Sequence, residues 1–318
     1  MTMRRAPVSV IILFFVLMSG AAPAFLLAQA SRGQRSRPVP PTQTQAQARP
    51  RSEAEVRQAR WAMLEKNVRA CLRDFRAEAG LIVKDLQTGQ NLEINPDRAF
   101  PSASIVKIPI MAACFKAVEE GRISLQDVIT MRAADRVRGS GILRASPVGT
   151  PVPVEKLIEL MITDSDNVAA NLLIDLLGFE YLNASFKEFG LSHTNLSRKM
   201  MDFRARLRGI ENYTTPRDMA DILERTYRGT CVSPRACEMG LAILKGQKVN
   251  DRIPRYLPRT IPVAHKTGLE NKVVHDAGIL FTAHGDVLIC VLTEGETGAL
   301  IAKRVIGRIA AQVYRAYK

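Results

Sequence analysis

The sequence predicts an α/β (α+β) fold: one antiparallel sheet built from the N- and C-terminal segments and flanked by helices, with an all-helical lobe inserted between them. Three observations predict it. Two strand-like runs lie near residues 81–94, a long stretch over 153–245 carries helical apolar spacing, and three more strand-like runs precede a final amphipathic helix. Each strand set has one apolar face to bury, so the two ends pair into one sheet and the helices between them pack as an insertion. No internal repeat is present.

Taken in order, Ser52 with Glu55 forms a capping-box pattern that opens a helix running to about Arg73. Leu81 to Asp85 and Asn91 to Ile94 read as a strand pair around a Gln87-Thr88-Gly89 turn. Ser104 precedes a strongly apolar helical run from Ile105 to Val118. The helical stretch is broken at Gly178, at Gly190 and over the irregular segment 191–214. Strands return at Ile261–Lys266, Ala277–Thr282 and Val287–Thr293, the last two joined by Ala283-His284-Gly285-Asp286, and the chain closes with a helix from Leu300 to Tyr314.

The first 30 residues read as an export signal: Arg4 and Arg5, an apolar stretch from Val8 to Ser19, and the small-x-small pattern Ala28-Gln29-Ala30. The apolar stretch falls short of the ~20 residues of a comfortable membrane span, and no cysteine near the cut offers a lipid attachment point. Residues 31–52 are rich in Pro, Gln and Arg, have nothing to bury, and are expected to form a disordered tether ahead of a catalytic domain over 53–318. The formal charge is +14, but seven arginines (Arg4, Arg5, Arg32, Arg35, Arg37, Arg49, Arg51) precede the domain, which leaves +7 on it. That surplus suits a soluble basic surface or attraction to an anionic wall polymer or membrane. One tryptophan and scattered tyrosines make no basic–aromatic strip, which argues against nucleic acid.

Five cysteines in an exported chain invite a disulfide, and Cys231 with Cys237 is the best local pair; Cys114 and Cys290 read as packed thiols. No Cys/His spacing resembles a zinc site, so neither a metal nor a cofactor is expected.

Three strings carry the chemistry: Ser104-Ile105-Val106-Lys107, Ser165-Asp166-Asn167 and Lys266-Thr267-Gly268. An acyl-transfer enzyme needs a nucleophile, a base, a proton path to the leaving nitrogen and donors for the oxyanion. Ser104 at a helix start supplies the hydroxyl, and Lys107, three residues on, rises on the same face. Burial and a neighbouring cation such as Lys266 would lower its pKa and free a neutral amine. Ser165 fits a proton relay and Asn167 offers both a donor and an acceptor to a substrate amide. Alternatively, Asp164 or Ser165 simply caps a helix over Val168 to Leu177, and both roles can hold together. Asn171, one turn after Asn167, is a further candidate, for substrate or for orienting Asn167 or the neighbouring loop. Lys266 and Thr267 can hold a carboxylate, and Gly268 allows close approach. Arg252, upstream of this strand, is a second candidate cation for that carboxylate.

One such string is weak; three in this order resemble the class A β-lactamase family over most of the chain, from about residue 53 onward. The resemblance implies a two-lobe layout with the active site between the lobes, and an oxyanion hole from the backbone amides of Ser104 and Leu269. It also locates a departure. The family carries a catalytic glutamate on the irregular loop before a Thr-Thr-Pro helix start. Here Thr214-Thr215-Pro216 opens that helix and Arg198 matches the loop's usual arginine, which puts the glutamate position on Met200 and its partner asparagine on Arg204. Asp202 and Glu211 are the nearby carboxylates, with Asp202 the candidate deacylation base. Leu269-Glu270 after Lys-Thr-Gly is also unusual, since family members carry small or hydroxylated residues there.

The expectation is therefore a monomeric, exported serine hydrolase that opens β-lactam rings through a Ser104 acyl-enzyme and deacylates slowly. A D,D-peptidase acting on peptidoglycan stem peptides is the alternative, and a non-catalytic wall-binding or sensing module a third. Serine glutaminases share the fold and the first motif, but the intact second and third strings argue against them.

Overall fold

The computed structural model describes residues 52–318. The expected signal at 1–30 and all but the last residue of the expected tether lie outside the described residues. Helix α1 (Glu53–Leu72) opens on the expected capping box: Ser52 Oγ accepts from the Glu55 amide and the Glu55 carboxylate accepts from the Ser52 amide. Its inward stripe is Trp61, Leu64 and Val68. Strands β1 (Glu78–Asp85) and β2 (Asn91–Ile94) form the predicted hairpin, turned by the Asp85 carboxylate, which accepts from the Gln87 and Thr88 amides, and by Gly89 at φ 77°.

After β3 (Phe100–Pro101) comes a 3₁₀ turn, Ala103–Val106, and only then α2 (Lys107–Glu119). The expected helix from Ile105 thus begins as a tighter turn. A small ribbon, β4 (Val128–Thr130) with β5 (Pro151–Pro153), leads to α3 (Val154–Thr163) and α4 (Asn167–Glu188). Gly178 (φ 78°, ψ 153°) interrupts α4 as expected, and Gly190 ends it in a left-handed cap. Next come α5 (Phe203–Leu207), β6 (Tyr213–Thr214, paired with β3), α6 (Pro216–Tyr227) and α7 (Pro234–Lys245). Strands β7 (Val263–Glu270), β8 (Val273–Leu280) and β9 (Val287–Glu294) then precede α8 (Ala299–Tyr317).

The five-stranded sheet runs β2-β1-β9-β8-β7, antiparallel throughout, so strands from both ends of the chain meet at β1 and β9. Alternation along β1 decides which layer each side chain joins. Leu81 and Val83 pack with Trp61, Leu64, Ile306 and Ile309 under the terminal helices, while Ile82 packs with α2 and the helical lobe. Two strands are longer than predicted. Lys-Thr-Gly lies inside β7, because Thr267 pairs with Asp276 and Glu270 with Val273. The polar residues His275 and Asp276 conceal the start of β8 in the sequence, yet both are fully buried and hydrogen-bonded. The pairing expected of Cys231 and Cys237 is not formed. Both are free thiols packed in the apolar core, where burial pushes the Cys231 thiol up to about 11.

Candidate active site

From Phe100 to Phe115 every residue is buried except Ser104. The chain enters through Ala103 at φ 45°, a left-handed conformation that alanine rarely adopts, and the 3₁₀ turn then brings the Lys107 amide onto Ser104 O. This local geometry leaves the Ser104 hydroxyl at the cleft and drives Lys107 inward, where it is fully buried at the start of α2.

The second motif faces it. Ser165 is also left-handed, at φ 53°, and Asp166 is the residue that caps α4. That corrects the expectation that Asp164 or Ser165 would cap. One carboxylate oxygen of Asp166 accepts from the amides of Val168 (2.8 Å) and Ala169 (3.0 Å), the other from Leu143 (2.8 Å). Ser165 and Asn167 are thereby held on either side of the Lys107 amine, which donates to Ser165 O at 2.7 Å and Asn167 Oδ1 at 2.8 Å.

Lys266 on β7 closes the constellation. Its amine donates to Ser165 Oγ at 2.9 Å, and the Lys107 amine lies 3.4 Å from the same oxygen. Both lysines are removed from water. Burial, opposed by the nearby Asp166 charge, brings Lys107 down to about 7. Burial, with the charges of Lys107 and Arg252, pushes Lys266 well below the usual lysine range. Two amines converging on one hydroxyl, one of them half neutral near neutrality, can pass a proton through that hydroxyl.

The cleft encloses about 380 Å³ and is lined by Ser104, Ser165, Asn167, Thr267, Leu269 and Arg252, among others. Gly268 is closely packed: a Cβ there would stand 3.2 Å from His275 and 3.4 Å from Ala103. Arg252 is 1% exposed; Nη1 donates to Asp251 Oδ1 at 2.8 Å, while Nε has no partner. Lys303, reaching in from α8, pairs with the other Asp251 oxygen at 2.6 Å.

In the loop before α6, Asn171 takes the loop-orienting one of its expected roles, and Asp202 does not take the role expected of it. Asn171 does not offer its amide to a substrate: Nδ2 donates to Met200 O (3.1 Å) and Oδ1 accepts from the Met200 amide (2.8 Å), so it clamps the loop backbone. Asp202 is exposed and outside the cleft lining, because its carboxylate is engaged as the cap of α5, accepting from the Ala205 amide at 2.9 Å. Glu211 is buried against Arg198 (2.7 Å) and Arg206 (3.2 Å), and Glu270 binds the same two arginines, each at 2.9 Å. Arg204 is exposed and away from the cleft lining. Met200 does line the cleft, beside Met201 and Phe203.

Sequence reasoning missed Gly139, Ser140 and Asp251. Ser140 Oγ donates to Ser165 O at 2.8 Å, and a Cβ on Gly139 would come within 2.6 Å of Asn167 Nδ2. The close pair Gly139 and Gly141 was the available signal for a loop pressed against the second motif.

A cleft between a helical lobe and an antiparallel sheet, lined by these three motifs, is the layout of the penicillin-recognising serine hydrolases. A profile of the β-lactamase enzyme family matches residues 63–317. The chain is 24% identical over 273 residues to β-lactamase VEB-1 of Pseudomonas aeruginosa, covering 80% of this chain and 90% of that one. A β-lactamase crystal structure from Sphaerobacter thermophilus superposes with TM-score 0.75 at 36% identity, over 80% of this chain and 97% of the other. PBP-A superposes with TM-score 0.73 at 32% identity, over 80% and 95%, and a PBP-A mutant carrying glutamate in place of a leucine matches at the same identity as an acyl-enzyme complex with penicillin G. The chain belongs to the β-lactamase enzyme family, as a serine hydrolase of class A.

The cap makes a direct prediction. Asp166→Ala strands three buried amide donors and should lower stability by about 2–4 kcal/mol in urea unfolding, whereas Thr88→Ala, at an exposed turn, should stay within about 0.5 kcal/mol.

Proposed function

We propose that the protein is acylated by β-lactams at Ser104 and releases the acyl group slowly. The observation that carries this reading is Ser165 Oγ held between Lys266 and Lys107 in the cleft that the half-buried Ser104 lines, with no carboxylate entering that cleft from the loop. Ser104 Oγ attacks the lactam carbonyl and its proton passes to the neutral Lys107 amine. The backbone amides of Ser104 and Leu269 stabilise the oxyanion. As the C–N bond breaks, Ser165 delivers a proton to the ring nitrogen, replenished from the lysines. Lys266, Thr267 and Arg252 receive the substrate carboxylate, and Asn167 its amide. Hydrolysis of the ester then needs a base for water. The Met200 thioether is no such base, and Asp202 and Glu211 are committed elsewhere. The signal-like pattern of the first 30 residues supports export, with this chemistry outside the cytoplasm.

A D,D-peptidase acting on peptidoglycan stem peptides is the second reading. The apolar Met200 side of the cleft and the likeness to PBP-A favour it.

Intact mass after mixing with benzylpenicillin separates the two. A penicilloyl adduct should persist for minutes in wild type and be absent in Ser104→Ala; labelling of that variant would remove the mechanism. Clearance within milliseconds would sink slow deacylation, and release of D-alanine from a peptide ending in D-Ala-D-Ala would select the peptidase. Met200→Glu should shorten the adduct lifetime.

Lys107→Ala and Ser165→Ala should each slow acylation by ~10²–10⁴-fold. Because the reactive form of Lys107 is neutral, the acylation rate should fall as pH drops below about 7 and level off above it. Asp166 raises the Lys107 pKa, so Asp166→Asn should move that acid limb to lower pH. An unmoved limb would mean that another group sets it.

A further inference from the structure

Leu207 has the greatest exposure of any large apolar side chain among the described residues, at 89%, and Phe203 (46%) and Ile210 (39%) stand close to it in sequence. Arginines alternate with them. Arg204 and Arg208 are exposed and enter no ion pair among the described residues, whereas Arg206 turns inward to Glu211 and Glu270. The segment is a preformed knuckle. Asp202, its one exposed acid, caps α5; Ala205 is buried; and Ala205 O accepts from the amides of Arg208 (3.0 Å) and Ile210 (3.1 Å) across Gly209 at φ 81°.

We propose that this knuckle, residues 203–210, docks on an anionic phospholipid bilayer. Apolar tips interleaved with unpaired guanidinium groups suit the headgroup boundary, where the tips enter the acyl region and the arginines meet phosphates. The segment 203–210 is far shorter than the ~20–30 residues a side that a stable protein interface uses, whereas a bilayer needs no complementary partner surface. The formal charge of +7 on residues 53–318 adds long-range attraction to the same surface. The inward Arg206 ties the knuckle to Glu270 at the end of β7, and Phe203 also lines the cleft, so docking brings the cleft mouth to the membrane surface. The catalytic reading does not depend on this surface, nor the surface on it.

The test is co-sedimentation of the protein, purified as exported, with vesicles of equal parts phosphatidylglycerol and phosphatidylcholine, and with phosphatidylcholine alone. Wild type should bind the mixed vesicles, release them in high salt and ignore the neutral ones. Leu207→Asp and Arg208→Glu should each weaken partitioning on the order of tenfold without changing the melting temperature. Leu207→Trp should keep binding and show a blue-shifted emission on the mixed vesicles. Absence of binding overturns the proposal, as does equal binding by wild type and Leu207→Asp, which would assign the affinity to the arginines before residue 52. A second copy of the chain is the competing occupant: dimerisation abolished by Leu207→Asp, without vesicle binding, also overturns it.

Discussion

Two lysine amines share one serine hydroxyl in a space closed to water, and this is the constraint on which the site depends. Lys107 and Lys266 come from different layers, one from the start of α2 and one from the sheet edge, and meet at Ser165 Oγ. Burying a charged amine costs several kcal/mol, and placing a second beside it adds repulsion. The fold answers with oxygen acceptors: Ser165 O and Asn167 Oδ1 for one amine, Thr267 O for the other, and the Asp166 carboxylate close behind. What remains uncompensated appears as two lysines that give up their protons far more readily than lysine in water.

Keeping the amines there requires backbone that resists relaxation. Of the five non-glycine residues with positive φ among the described residues, Ala103, Ser165 and Met201 line this cleft. Each costs conformational energy that the surroundings must offset. Around Ser165 they do so through the buried Asp166 cap, the Ser140 hydroxyl on Ser165 O, and two glycines whose missing side chains admit Asn167 and Asp166. Gly268 is packed closely as well, with His275 and Ala103 at 3.2 and 3.4 Å from where a Cβ would stand.

Much of this was legible in the sequence, and the failures have physical causes. Capping at Ser52, the turn at Gly89, the break at Gly178 and the meeting of terminal strands follow from local propensity and one-sided apolarity, which a linear pattern records. The end of β7 and the start of β8 were misplaced because Thr267, His275 and Asp276 are polar residues inside the sheet, the last two satisfied there, and a pattern of apolar alternation does not register buried polar groups. Motif residues were recognisable because the chemistry restricts residue type. The assignment of Asp202 failed, and Asn171 took only the loop-orienting one of its expected roles, because an amide and a carboxylate are equally good at holding backbone and only geometry tells which partner they take.

That failure bears on how the loop works. Asn171 grips Met200 by both backbone polar groups, and Asn212 does the same for Arg198, its Oδ1 accepting from the Arg198 amide and its Nδ2 donating to Arg198 O. Arg198 and Arg206 then alternate with Glu211 and Glu270 in a closed set of four charges joining the loop to the end of β7. The loop is thus anchored as firmly as a loop bearing a catalytic carboxylate would need to be, but it presents a thioether. Glu270, unusual beside the third motif, belongs to that anchorage rather than to substrate contact alone. With two arginines and two glutamates locked together, neither glutamate is available to move toward Ser104. On the proposed reading, a thioether at Met200 and the brace at Glu270 act in one direction, since a replacement carboxylate would have to come from the segment that Glu211 and Glu270 hold fast.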